Sequence, residues 1–95
     1  MLKKEGMEMI WTMARLEECF EQAKEMNTEY VAVKIEMAGF PEPELIINKN
    51  ENIETKLAYY KKTYDEHLHH KFAPGIRIVG FNSGENLDDI QDDFY

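Results

Sequence analysis

His67, His69 and His70 are the three histidines of the chain, and they cluster. On a helix, His67 and His70 stand three apart and face the same way beside Glu66, a spacing that could supply two ligands to a metal ion. A closed structural site needs four, and neither a cysteine nor a further histidine is at hand. The cluster therefore reads as a solvated helix end, and no metal or other cofactor is expected. Cys19, the only cysteine, neighbours Phe20 at the edge of an apolar stripe. A reactive thiol needs a base or a cation beside it, so Cys19 reads as a small packing residue. No nucleophile–base pair is assembled anywhere in the chain, and the expectation is a protein without enzymatic activity.

Two other patterns could bind without reacting. Glu17, Glu21 and Glu25 repeat every four residues, so like charges face each other on one side of a helix. That arrangement either solubilises the helix or is held for a basic partner. Asp88, Asp89, Asp92 and Asp93 make the last stretch acidic in the same sense. The run Lys56–Tyr64, KLAYYKKTY, interleaves lysines with aromatic rings, as binders of nucleotides do. Tyr60 and Tyr64 fall on the apolar stripe of their helix. Tyr59 is then the free ring, and Lys56, Lys62 and Arg77 are the cations that could serve a small anionic ligand.

Composition narrows the field. Ninety-five residues make one domain, which buries about 60–65 % of its unfolded surface. The formal net charge is −8, which disfavours long nucleic acids and favours a partner with a basic surface. A single cysteine excludes an internal disulfide, no apolar run approaches 18 residues, and the first eleven residues lack an export signal. A cytoplasmic protein, in the cytoplasm of a host cell on the reading below, is expected.

The elements that position these groups follow from periodicity. Glu29–Met37, EYVAVKIEM, alternates strictly, with Val31, Val33, Ile35 and Met37 on one face, and reads as the central strand. Before it, Met13, Leu16, Phe20, Ala23 and Met26 form a helical stripe over 12–27, capped by Thr12 and stopped by Asn27. Residues 1–11 are flexible or extend this helix. Gly39-Phe40-Pro41-Glu42-Pro43 is a turn that ends the strand, with Phe40 either an exposed anchor or a residue tucked over the sheet. Residues 44–47 form a second strand. Asn48 and Glu51 have the spacing of a capping box for a second helix over 49–70, whose stripe is Ile53, Leu57, Tyr60, Tyr64 and His67 or Leu68. Ala73-Pro74-Gly75 breaks it. Residues 76–81 form a third strand, with Arg77, Val79 and Phe81 on the face away from Ile76 and Ile78. The chain turns at 82–84, and 82–95 is an acidic tail or short helix with Leu87, Ile90 and Phe94 on one side.

The order is α-β-β-α-β. It predicts an α+β two-layer sandwich: a three-stranded, mainly antiparallel sheet in the order 2-1-3, with both helices on one face. The other face, with Tyr30, Ala32, Lys34, Glu36, Arg77, Val79 and Phe81, is left open. That face, or an edge strand, offers a route to a homo-oligomer.

The pieces EYVAVKIEM, GFPEPELIIN, KLAYYKKTYD and GIRIVGF, within residues 12–81, resemble small uncharacterised proteins of phages and prophages of Gram-positive bacteria. The resemblance carries no functional residue. It implies a stoichiometric effector that binds and blocks a host protein, such as a nuclease or other defence component. On that reading Glu17, Glu21, Glu25, Phe40 and the four tail aspartates contact the partner.

Overall fold

The computed structural model describes residues 11–88 and residue 90. Among the described residues the elements are α1 (Met13–Glu25), β1 (Tyr30–Met37), β2 (Glu44–Lys49), α2 (Ile53–Thr63) and β3 (Ile76–Gly84), with a 3-10 turn, Asn50–Asn52, leading into α2. The strands form one antiparallel sheet in the order β2-β1-β3, as the alternation of β1 and the crossover through α2 require. One apolar cluster joins both helices to one face of β1: Leu16, Phe20 and Ala23 from α1, Val31 and Val33 from β1, and Ile53 and Tyr60 from α2.

Local chemistry sets the ends of α1. The Thr12 hydroxyl accepts the Arg15 N–H at 3.3 Å, and the Met13 N–H, otherwise an orphan donor, is donated to the Glu66 carbonyl at 3.0 Å. Asn27 sits at φ 56, the left-handed conformation that ends a helix. Met26, placed on the apolar stripe from its spacing, lies beyond the last helical turn and is 70 % exposed. Asn50 then ties this exit to the start of α2, its side-chain Nδ2 donating to the carbonyls of Thr28 and Ala23.

Four features depart from the pattern of the sequence. Asn48 is not a helix cap but a buried β2 residue, whose Nδ2 donates to the Val31 carbonyl at 3.1 Å and whose amide lies against the Tyr60 side chain. The second helix ends at Thr63, seven residues short of the end at residue 70 that its stripe suggested. Tyr64 leaves in extended conformation and Leu68 takes φ 66, so residues 64–70 fold back as a loop. Leu68 is nonetheless fully buried, and its carbonyl accepts the Ile78 N–H, so this loop lies along β3. The third departure is a bulge. Lys34 pairs with Gly80 but Ile35 with Ile78, leaving Val79 as an extra residue. The extra residue inverts the alternation beyond it. Phe81 pairs with Val33 on the helix side and packs edge-on against Trp11, 4.7 Å between centroids, instead of joining Arg77 on the other face.

β3 also runs on through residues 82–84, where a turn was expected. Gly84 pairs with Tyr30, and a Cβ added to Gly84 would meet Ile90 Cγ1 at 3.0 Å. Ile90 therefore sits on the sheet face opposite the helices, where Ala32 is also fully buried. This second face is thus open along part of its length only. The outer edge of β2 has no backbone partner among the described residues.

A carboxylate adds to the backbone bonds that hold the 64–70 loop. Asp65 Oδ1 accepts the backbone N–H groups of His69 and His67, each at 2.9 Å. The His69 bond, then that of His67, holds the Asp65 carboxyl below its ordinary range against the opposing effect of burial. A folded-state value below the unfolded one stabilises the protein above the unfolded value, near pH 4, and the contribution disappears as pH falls through the folded value. Asp65→Asn keeps an acceptor oxygen without a titrating charge. Urea unfolding is expected to show a shallower loss of stability below about pH 4 in this variant than in the parent chain. An unchanged acid limb would show that Asp65 does not hold the loop.

Candidate functional site

The chemistry-bearing residues are separated by the fold. Cys19 is half-buried on α1 and burial pushes its thiol up to about 11, so it stays protonated and is a poor nucleophile near neutral pH. The histidines do not share a helix face, because the helix has ended before them. His70 stacks edge-on against Tyr64 at 5.1 Å and its Nδ1 accepts the Phe72 N–H, whereas His69 pairs with Arg77 beside β3. Among the described residues, no three His, Cys, Asp or Glu side chains are placed to hold one metal ion.

The acidic edge of α1 is partly answered within the chain. Glu17 receives Lys61 of α2 at 2.9 Å, and Lys24 pairs with Glu54. The hydrogen bond and charge of Glu17, with Glu21 nearby, hold the Lys61 ammonium above its ordinary range. Glu21 and Glu25 are exposed, as is Asp88. Asp89, Asp92 and Asp93 lie outside the described residues, as does Phe94.

Lys56 and Tyr59 come together, with the ammonium 5.9 Å from the ring centroid, and border a groove between α2 and the end of the sheet. Lys62 and Arg77 do not line it. Arg77 stands on the second face, where its Nε donates to Glu36 at 3.0 Å.

The most exposed aromatic side chains among the described residues gather at one end of the sheet. Residues 38–43 connect β1 to β2, and residues 71–75 lead into β3. The two loops are joined by the Ala38 N–H donated to the Gly75 carbonyl at 2.8 Å. Gly75 has φ 87, and a Cβ there would meet the Ala38 Cβ at 2.7 Å, so only glycine permits this closeness. Phe40 on the first loop is 64 % exposed, and Phe72 on the second is 76 % exposed. Phe40 therefore projects and does not fold over the sheet. Beside it opens a cleft of about 550 Å³ lined by Glu36, Phe40, His69, Gly75 and Arg77, among others. The cleft is open to solvent, and its Arg77 and Glu36 are already paired. Its chemistry suits contact with another surface better than a reaction.

Phe72 was not singled out from the sequence, because it falls between a histidine-rich helix end and a proline break. Its one signal was a large apolar residue next to that break, without a partner in any periodic stripe. Among the described residues, no helix is long and apolar enough to cross a membrane. No family model, no curated protein and no solved structure matches the chain.

Proposed function

We propose that the protein is a non-enzymatic protein-binding module that docks through the loop end of its sheet. The observation that carries this is the pair of exposed phenylalanines on two backbone-linked loops. Large exposed aromatic residues on a fixed frame are the usual energetic anchors of an interface. Pro41 and Pro43 lower the ordering cost of the first loop.

The partner is a protein with a basic surface. The net charge of −8, with Glu21, Glu25 and Asp88 exposed, attracts such a surface at long range and sets the rate of encounter. The phenylalanines then provide the affinity. The resemblance to small phage and prophage proteins makes the target a host protein that is blocked stoichiometrically, such as a nuclease whose basic site otherwise holds nucleic acid.

The test is affinity capture from a host lysate with the tagged chain and with a Phe40→Ser/Phe72→Ser variant, at about 50 and 500 mM salt. Each phenylalanine is expected to contribute about 2 kcal/mol, roughly 30-fold in affinity, so the variant loses the partner while keeping its circular dichroism. Capture of the same protein by the folded variant would remove the anchor. A yield that does not fall with salt would remove the electrostatic attraction.

A further inference from the structure

The early end of α2 leaves part of the helix-facing side of the sheet uncovered. Val31 and Val33 lie under the helices and are fully buried, while Ile35, Ile46 and Ile76, further along the same face, are only half-buried. These three isoleucines line a groove of about 320 Å³. Tyr59, Tyr64 and His70 also line it, and Lys56 and Glu44 stand at its rim. Tyr59 is half-exposed and its ring lies edge-on to that of Tyr60 at 5.3 Å.

We propose that this groove binds a small ligand with a flat aromatic ring and one phosphate, of the class of nucleoside monophosphates. Aliphatic and aromatic side chains accept the ring by its apolar faces, and a volume near 300 Å³ is at the small end of ligand pockets. The Lys56 ammonium, held near the Tyr59 ring and with no ion pair among the described residues, supplies the positive charge for the phosphate. Glu44 lines the same space and favours the donor groups of a base or sugar over a second phosphate. Burial pushes the Tyr64 hydroxyl up to about 12, so it stays a donor at ordinary pH. Neither Phe40 nor Phe72 lines the groove. Phe72 touches it only through His70, so Lys56 and Tyr59 substitutions test this reading and phenylalanine substitutions test the docking one.

The experiment is a heteronuclear NMR titration of the full chain with adenosine 5′-monophosphate and uridine 5′-monophosphate. Ribose 5-phosphate and adenosine serve as half-ligands. At least one monophosphate is expected to shift the amide signals of Lys56, Tyr59, Tyr64 and His70, and to bind about tenfold more tightly than either half-ligand. Lys56→Gln and Tyr59→Ala, both at exposed positions, are expected to weaken binding about tenfold with the melting temperature unchanged. No shift with either monophosphate up to about 10 mM would overturn the proposal, since weaker binding has no value as a site. So would shifts that map elsewhere, equal binding by a half-ligand, or binding indifferent to both substitutions.

Discussion

Phe20→Ala lowers the free energy of unfolding by about 3–5 kcal/mol, read as the urea midpoint at constant slope. A domain of this length has roughly 5–14 kcal/mol in total, so the variant approaches the edge of stability. The reason is position. Phe20 is the largest fully buried side chain, and it lies where α1, α2 and β1 meet. Its ring contacts the Tyr60 ring edge-on, with centroids 5.8 Å apart, so truncation removes both transfer free energy and an aromatic pair. Neighbours on three different elements cannot all move in to fill the space, and the cavity term adds to the loss. A decrease of less than about 1 kcal/mol would mean that the helices are not docked as described.

Leu68→Ala costs about 2–5 kcal/mol, although Leu68 belongs to no helix or strand. A leucine on an exposed helix end would cost almost nothing, so the substitution distinguishes the two placements. Leu68 is fully buried and its backbone accepts from Ile78. Its positive φ, unfavourable for a branched side chain, persists because the surrounding contacts outweigh it. The loss should extend to α1, whose first N–H is donated to Glu66 in the same loop. Amide exchange at Met13, faster in Leu68→Ala than in a control such as Lys62→Ala, would confirm that the loop and the helix start are coupled.

Much of the architecture was legible because it rests on short-range rules. Thr12 and Asn27 bound the first helix by their own side-chain and backbone chemistry, and period-two alternation marks β1. The end of α2 was not legible. Tyr60, Tyr64 and Leu68 keep helical spacing and are all buried, so the stripe is real but its last member is buried by a loop. Tertiary contacts with β3 and with Asp65 decide this, and spacing does not encode them. The bulge at Val79 was equally silent, since one unpaired residue changes no composition while turning Phe81 to the other face. Of the proposed anionic-ligand residues, Lys56 and Tyr59 are one helical turn apart and meet for that reason. Lys62 and Arg77 needed the full packing to be placed, and it puts them elsewhere.

The strand order has a consequence for synthesis. β1 is the middle strand, yet it leaves the ribosome tens of residues before the last of β3. At ordinary elongation rates the nascent chain spends roughly 2–7 s with β2 on one flank of β1 and nothing on the other. During that interval the future centre of the sheet presents an unprotected hydrogen-bonding flank, so the nascent hairpin is the stage at which crowding or a slowed ribosome most readily diverts the product into aggregates.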